Sequence, residues 1–291
     1  FRSMAGPAGL TRHASTFGRA NVVEAVSEGL PGAPAEQIDA VVDAFLASPY
    51  VHALAAHPDE PESVVRRDLV RSRSSDFARF STPELLDLEH RLLSFAEEGF
   101  GAPVPTATGA AVDAAIAARP ELSPEQLAMV RAVCLPGAEA LQPVAGRPGS
   151  GKTYATAACV EALAGSGVPV VGCALSATAA AELESATRME EKTGRAASTI
   201  ARLLLDVDRH PLPLGVVVIV DEASMVGTRD LARLAGHVAT AGGALKLIGD
   251  PDQHGAVESG GFFRRLTEIR GDHLIRMEQN NRQLDADHRL A

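Results

Sequence analysis

The spacing of hydrophobic residues changes near residue 119. Before that point, apolar positions recur every three or four residues, as they do on one face of a helix. One such stretch covers 34–47 and is ended by Pro49, and a second starts at Ser81 with an S-T-P-E capping box and Pro83 in its first turn. The apolar faces of the two predicted helices contain Ile38, Val41, Val42, Phe45 and Leu46, and Leu85, Leu88, Leu92 and Phe95. Residues 16–105 are therefore predicted to form a small, mainly helical module after a flexible lead at 1–15.

After residue 119, short apolar runs alternate with helical patterns, which is typical of βαβ units and a parallel sheet. The predicted strands are 141–145, 168–174, 215–220, 244–248 and 273–277, and the predicted helices are 123–134, 152–164, 178–188, 198–205, 228–240 and 259–268. The run Gly215–Val220 (GVVVIV) is apolar throughout, as expected of a central strand covered on both faces. The sequence thus predicts an α/β domain at 119–291, with helices flanking a parallel sheet.

The composition is that of a globular protein, with 46% hydrophobic and 22% charged residues. No apolar run is long enough to cross a bilayer and no signal peptide is visible, so we expect a cytoplasmic protein without a membrane segment. Cys134, Cys159 and Cys173 match no zinc pattern and are expected to be buried thiols. The net charge of -10 gives no general attraction to nucleic acid, so any DNA contact must come from local groups. From the start at Phe-Arg-Ser-Met rather than at Met, we expect the chain to be a fragment.

Residues 146–153 (GRPGSGKT) match the phosphate-loop pattern G-x-x-x-x-G-K-[ST] in full. The stretch follows an apolar strand and opens a predicted helix, which is the context that this pattern requires. Its glycines allow the backbone N–H groups to face phosphate oxygens, and the helix N-terminus adds its positive end. Lys152 is expected to reach the β- and γ-phosphates, and Thr153 to bind Mg²⁺. The predicted nucleotide-binding residues of this stretch are Gly146, Arg147, Pro148, Gly149, Ser150, Gly151, Lys152, Thr153 and Tyr154.

A carboxylate pair, Asp221-Glu222, ends the apolar strand that starts at Gly215. Carboxylates at the C-terminal end of such a strand lie beside the phosphates in nucleotide-binding α/β folds. Asp221 is expected to hold the hydration shell of Mg²⁺, and Glu222 to orient and deprotonate the attacking water. The alternative is that the two acids simply end a strand and cap the next helix. With the phosphate loop, the pair predicts binding and hydrolysis of a nucleoside triphosphate, which kinases, transporter ATPases and helicases have in common.

Three further polar residues narrow this choice. Gln253, in the stretch GDPDQ, is placed to contact the γ-phosphate and a DNA-facing loop, and a plain Asp-Pro turn is the alternative. Arg282, in NNRQ, fits an arginine finger on the γ-phosphate, with a surface arginine as the alternative. The amide of Gln126 can read the adenine edge, and the same residue also completes a capping box with Ser123.

In this order the motifs resemble the first RecA-like domain of superfamily 1 DNA helicases, and the spellings DEASM, GDPDQ and Arg-Gln look most like the RecD branch. The resemblance covers about residues 119–285. It implies a P-loop RecA-like fold, ATP with Mg²⁺, and movement 5′ to 3′ along single-stranded DNA. It also implies that Gln126 contacts adenine, that Gln253 senses the γ-phosphate and that Arg282 is the finger. The predicted catalytic residues are therefore Lys152, Glu222, Gln253 and Arg282.

Two stretches lie where these helicases contact the DNA backbone. In CALSATAAAELE the resemblance assigns this contact to Ser176 and Thr178, although the usual Thr-Gly-Lys/Arg spelling is missing. Ser198 and Thr199 open the helix TIARLLL, where a further DNA-contact motif is expected. Helix capping is the alternative for this second pair.

The N-terminal module looks like the segment before the helicase part of conjugative relaxases of the TraA/TraI/TrwC (MobF) kind. The similarity rests on STFGRANVVEAVSEGLP and FARFSTPELLDLEHRLLSFA. It implies a relaxase domain in the same polypeptide and a role in plasmid DNA transfer. The nicking step of a relaxase needs clustered histidines and tyrosines. The 9 histidines here are scattered and the 2 tyrosines are Tyr50 and Tyr154, so we expect no nicking by these residues.

Three interpretations stay open: the ATPase part of a conjugative relaxase-helicase, a RecD-like repair or recombination helicase without a relaxase, and a nucleotide-switched binding module. The second RecA-like domain of these helicases is expected to be missing. We therefore expect the chain to bind ATP and Mg²⁺, to hydrolyse ATP poorly and not to unwind duplex alone. The arginine-rich stretch from Arg66 to Arg79 fits a solvated face, a DNA contact or a relaxase contact.

Overall fold

The computed structural model describes residues 1–54, 78–99, 103–253 and 261–278. These residues belong to two compact units, one within Phe1–His90 and the other starting at Arg91. The division falls inside a helix, upstream of the Gly- and Pro-rich linker near residue 105 that the sequence indicated as the end of the N-terminal module. None of the helices in the described ranges combines the length and apolar character needed to cross a membrane.

The first unit is a small helical core with a short two-stranded sheet. Its elements are α1 (Arg2–Ala5), α2 (Arg19–Gly29), α3 (Ala35–Leu46), β1 (His52–Leu54), β2 (Arg79–Ser81) and the start of α4 (Pro83–Glu98). β1 and β2 pair antiparallel. The core consists of Phe17, Val22, Val26, Val42 and Phe45. Met4 and Leu10 pack against this core, so part of the expected flexible lead at 1–15 contributes to the unit.

The start of α4 differs by one residue from the predicted capping box. Ser81 belongs to β2, and its hydroxyl donates to the Ser15 carbonyl at 2.8 Å. The helix is capped instead by Thr82, whose hydroxyl accepts from the Leu85 backbone N–H at 3.4 Å. The sequence pattern did not distinguish the two residues, because both carry a hydroxyl. The pairing of Ser81 in β2 leaves Thr82 as the residue that caps the helix.

The second unit is built on a six-stranded sheet with the order β5-β4-β6-β7-β3-β8. Every pairing in this sheet is parallel. The strands are β3 (Leu141–Gly146), β4 (Val170–Ala174), β5 (Ser198–Thr199), β6 (Val217–Asp221), β7 (Ala244–Gly249) and β8 (Ile275–Met277). The helices after α4 are α5 (Gly109–Ala117), α6 (Pro124–Cys134), α7 (Lys152–Gly165), α8 (Ala177–Thr187), α9 (Met189–Thr193), α10 (Ile200–Val207), α11 (Thr228–Thr240) and α12 (Phe262–Arg270). The predicted P-loop RecA-like α/β fold is confirmed.

All five predicted strands and all six predicted helices of this unit are present within a few residues of their expected bounds, and residues 259–260 lie outside the described ranges. Three elements were not predicted: α5, α9 and β5. α5 is rich in alanine and shows little contrast between its faces, while α9 and β5 have 5 and 2 residues. Such short or uniform segments carry too little periodicity for a sequence pattern to detect.

The sheet is covered by helices on both faces, and strand β6 shows this most clearly. Its side chains alternate between the two hydrophobic cores of the unit. Val218 and Val220 join the core that contains residues of α10, α11 and α12. Val217 and Ile219 join the core that contains residues of α6 and α7. The prediction of a central strand from the run GVVVIV is thus confirmed.

One charged residue lies in the middle of this apolar sheet. Lys246 of β7 is fully buried, and its Nζ donates to the Glu139 carbonyl at 2.7 Å and to Gln142 Oε1 at 2.8 Å. Burial lowers the pKa of Lys246 to about 8, because the charged form loses its hydration. Between this pKa and the ordinary lysine value of 10.5, the unfolded chain binds more protons at this position than the folded chain. This group therefore adds stability as the pH rises.

We predict that Lys246→Met removes this contribution. The free energy of unfolding of the native protein, minus that of the variant, should rise by about 2–3 kcal/mol between about pH 7 and pH 10. Urea denaturation of both proteins at the two pH values measures this difference. The comparison also cancels the opposite effect of Cys173, a buried thiol whose pKa burial raises to about 12. A difference that does not change with pH would contradict the prediction.

Candidate functional site

The phosphate-loop sequence forms the turn between β3 and α7. Gly149 and Gly151 have φ values of 83° and 79°, in the left-handed region that favours glycine. Gly146 is needed for a different reason: a Cβ there would lie 2.8 Å from the Cγ and Cδ atoms of Lys152. The Ser150 backbone N–H donates to the Arg147 carbonyl at 3.2 Å and closes the loop. The local sequence is thus the one that this tight backbone path requires.

Lys152 lies at the centre of the loop. Its Nζ donates to the carbonyls of Gly146 at 2.6 Å and of Arg147 at 3.0 Å. Partial burial lowers the pKa of Lys152, while the carboxylates of Asp250, Asp221 and Glu222, in that order, raise it. The ammonium group is therefore held between the loop and the carboxyl ends of β6 and β7. A phosphate oxygen can replace the neutral carbonyls as a stronger acceptor for this group.

The carboxylate pair follows β6 directly. Asp221 is the last residue of the strand, and its Oδ1 accepts from the Glu222 backbone N–H at 2.9 Å. Glu222 has φ 54° and ψ 37°, one of two positive φ values among the non-glycine residues that the structure describes. Such a conformation costs on the order of 1–3 kcal/mol and persists only where the surroundings impose it. The backbone thus directs the Glu222 side chain away from the path of a regular strand or helix.

Burial raises the pKa of both carboxyl groups of this pair. Asp221 and then Glu182, on α8, add to the effect on Glu222 by charge repulsion. A divalent cation would offset both the burial of these carboxylates and their mutual repulsion, and Mg²⁺ prefers oxygen ligands. Asp221 and the hydroxyl-bearing Thr153 at the start of α7 therefore fit a Mg²⁺ site. Glu182 was not among the predicted site residues, because its helix and β6 are brought together only by the fold.

The stretch GDPDQ forms a turn after β7. The backbone N–H of Gln253 donates to the Asp250 carbonyl at 3.2 Å, and that of Asp252 donates to Asp250 Oδ1 at 3.1 Å. The Asp-Pro turn and the exposed Gln253 side chain are thus both present at the edge of the sheet where the phosphate loop lies. A cleft at this edge is lined by residues at the ends of β3 and β8 and just after β3, β7 and β8: Ala145, Gly146, Arg147, Asp250, Pro251, Asp252, Arg276, Met277 and Glu278.

Of the residues that line this cleft, only Gly146 and Arg147 were predicted from the sequence, and Asp250 and Arg276 are among those missed. Asp250 is 5% exposed and is the carboxylate with the largest effect on the pKa of Lys152. Its place in GDPDQ was the only sequence signal. Arg276 is in β8, and nothing in the sequence placed that strand beside β3. Arg282 lies outside the described residues, as does the arginine-rich stretch except for Arg79, so their predicted roles stay predictions.

Gln126 forms the capping box that its sequence position suggested, together with a contact to the phosphate loop that the sequence did not indicate. Its Oε1 accepts from the Ser123 backbone N–H at 2.8 Å, and its own N–H donates to the Ser123 hydroxyl at 3.3 Å, so the capping box of α6 is complete. Its Nε2 donates to the carbonyls of Ser150 at 3.2 Å and Gly151 at 3.4 Å. The residue is 3% exposed and lies against the phosphate loop. Tyr154, in the first turn of α7, is 41% exposed.

The hydroxyl residues predicted to face DNA lie at the ends of β4 and β5. Ser176 caps α8, accepting from the Ala179 N–H at 3.0 Å, and Thr178 is exposed in the first turn of that helix. Thr199 caps α10, accepting from the Arg202 N–H at 3.2 Å, so capping is confirmed for this residue. Ser198 does not cap, and its hydroxyl oxygen is buried without a hydrogen-bond partner in the described part of the chain.

The carboxyl edge of the sheet is therefore divided into two parts. The phosphate loop, the carboxylate pair and the GDPDQ turn follow β3, β6 and β7, which are neighbours in the sheet. The four hydroxyl residues follow or belong to β4 and β5, on the other side of β6. Ligands of open α/β sheets bind at this edge. The two groups of predicted residues are thus adjacent without overlapping.

Comparison with known proteins agrees with this geometry. A model of the AAA domain family matches residues 121–291. The chain is 35% identical over 159 residues to the "Probable conjugal transfer protein TraA" of Sinorhizobium fredii (strain NBRC 101917 / NGR234), which covers 54% of this chain and 14% of that protein. It is 30% identical over 191 residues to the conjugal transfer protein TraA of Agrobacterium fabrum (strain C58 / ATCC 33970) and 34% identical over 196 residues to that of Rhizobium radiobacter.

The last two alignments each cover 66% of this chain and 17% of the relative, so the chain spans between 14% and 17% of the length of these relatives. The family model covers more than half of the chain and includes the phosphate loop, the carboxylate pair and the GDPDQ turn. By this match the chain belongs to the AAA domain family, and over 159 to 196 residues it is similar to conjugal transfer proteins.

Proposed function

We propose that this chain is the ATP-binding and ATP-hydrolysing motor domain of a helicase that moves on single-stranded DNA, within a conjugative relaxase-helicase that transfers plasmid DNA. The observation that carries the proposal is the position of Lys152. It lies inside a complete phosphate loop and faces the carboxylates at the ends of β6 and β7. A cation in a phosphate loop can neutralise a triphosphate, and carboxylates beside it can hold the Mg²⁺ that accompanies the nucleotide.

In the proposed reaction, the backbone N–H groups of the loop and the start of α7 bind the phosphates. Lys152 leaves the Gly146 and Arg147 carbonyls and neutralises charge on the β- and γ-phosphates. Thr153 and Asp221 would hold Mg²⁺, which would supply positive charge against the phosphates. Glu222 orients a water on the γ-phosphate and takes its proton, for which its raised pKa makes it a better base. Gln253 and Arg282 complete the proposed catalytic set.

The DNA part of the proposal rests on the second half of the sheet edge. Ser176, Thr178 and Thr199 bring three hydroxyls to the ends of β4 and β5, whereas the hydroxyl of Ser198 is buried. Hydroxyls donate to phosphate oxygens without reading sequence. The ends of β4 and β5 are next to the carboxylate pair, because β4 and β6 are neighbouring strands. The names of the relatives support a role in conjugal transfer, which agrees with a partner of single-stranded DNA and a cytoplasmic location.

We predict that Thr178→Val weakens binding of a single-stranded oligonucleotide by about threefold to tenfold, since one hydrogen bond to a phosphate is lost. Fluorescence anisotropy with a labelled oligonucleotide at fixed salt measures the change. The matched control is Thr240→Val, because Thr240 is also an exposed threonine but ends α11, away from the proposed track. The control should bind as the native protein does. Equal affinities for all three proteins would contradict a DNA contact at this position.

A further inference from the structure

The contacts of Gln126 are unusual for a residue expected to read a base. A glutamine amide that recognises adenine uses one donor and one acceptor towards the base edge. Here the donor is directed at the phosphate loop, where Nε2 reaches the Ser150 and Gly151 carbonyls. The acceptor Oε1 is directed at the Ser123 backbone N–H. Reading adenine with this amide would therefore compete with its contacts to the loop.

The two carbonyls that Gln126 holds belong to the peptides that present the loop N–H groups. In a planar trans peptide, the C=O of one residue and the N–H of the next point in opposite directions. Fixing the Ser150 and Gly151 carbonyls towards Gln126 therefore turns the N–H groups of Gly151 and Lys152 away from it. Anion binding by a loop of this kind depends on such oriented N–H groups. A loop carbonyl that rotated towards a phosphate would repel it.

The geometry points to Gln126 as a positioning residue of the proposed nucleotide site: it orients the phosphate loop through Ser150 and Gly151 and contributes to triphosphate binding independently of the base. This inference rests on the proposed function, since it concerns the same site. It differs from the expected adenine contact in a measurable way. Loss of a contact that orients the loop lowers the affinity for every ligand that carries the triphosphate. Loss of a base contact lowers the affinity only for ligands that carry adenine.

The test uses ATP and inorganic tripolyphosphate, which has no base, as two probes for the 291-residue chain. Isothermal titration calorimetry with Mg²⁺ gives both affinities for the native protein and for Gln126→Met, which keeps the side-chain length and removes the donor. The expected result is that the variant binds both probes more weakly by the same factor, about tenfold.

The matched control is Ser123→Ala. This change removes the hydrogen bond from the Gln126 backbone N–H to the Ser123 hydroxyl and so lowers the melting temperature. It leaves the Nε2 contacts of Gln126 with the loop in place. Its affinities for both probes should equal those of the native protein. If it weakened both probes as Gln126→Met does, the effect would come from loosening of α6, and the inference would be wrong.

Two further outcomes for Gln126→Met also overturn the inference. A loss of affinity for ATP alone would make Gln126 an adenine contact, and unchanged affinities for both probes would make it a helix cap only. Lys152→Ala separates these outcomes from failure of the proposed function. If the native protein binds neither probe, or binds both no better than Lys152→Ala does, the nucleotide site itself is absent.

Discussion

Replacing Lys152 with alanine is expected to lower the affinity for ATP by at least about a hundredfold. The change removes the positive charge and leaves the carboxylates of Asp221, Glu222 and Asp250 in place, and these repel the triphosphate. The effect is large because the ammonium group is partly buried, where charge interactions are screened less than at the surface. Calorimetric titration with ATP and Mg²⁺ measures the loss.

The control for this variant is Lys192→Ala. The side chain of Lys192 is also mostly buried. Its Nζ pairs at 3.2 Å with Glu161, which lies near the C-terminal end of α7, away from the phosphate loop. Its replacement should lower stability slightly and leave the affinity for ATP unchanged. If Lys152→Ala bound ATP as tightly as the Lys192→Ala control, the residues 146–153 would not be a nucleotide site.

The second large effect is expected for Glu222→Gln. The two side chains have nearly the same shape, but the amide cannot take a proton from water. The single-turnover rate of ATP hydrolysis should fall by about 10²–10⁴-fold, the usual contribution of a general base. The affinity for ATP should be equal or higher, because one negative charge near the phosphates is removed. Rapid mixing of excess protein with labelled ATP separates binding from hydrolysis.

Glu182→Gln is the matched control for Glu222→Gln. It removes a carboxylate that acts on the same pair only through its charge, from an exposed position on α8. Its rate should change far less than that of Glu222→Gln. Hydrolysis that continues at the native rate in Glu222→Gln would show that another group deprotonates the water.

The fold of the second unit was predictable because its local patterns and its tertiary structure agree. The run GVVVIV is apolar on both faces and is in fact covered on both faces. The phosphate-loop pattern specifies glycines where the backbone has positive φ or passes close to Lys152. In these places the sequence fixes the backbone path over a few residues, so no distant contact has to be known.

The features that the sequence did not predict depend on contacts between distant segments. Asp250 and Arg276 enter the cleft because β3 pairs with both β7 and β8, which no local pattern specifies. The support of the loop by Gln126 joins residues 24 and 25 positions apart. The division of the chain inside α4 has the same origin, because Leu92 and Ala96 belong to the core of the second unit. Each of these contacts follows from the packing of elements, which periodicity does not describe.

The central claim is that ATP hydrolysis at this site is coupled to single-stranded DNA. The measurement that tests it most directly is the single-turnover rate of ATP hydrolysis with and without a single-stranded oligonucleotide, in the native protein and in Lys152→Ala. We expect a slow basal rate that DNA increases several-fold in the native protein and no measurable rate in the variant. A native rate that depends on Lys152 but is unchanged by DNA would contradict the motor function and indicate a nucleotide-switched binding module.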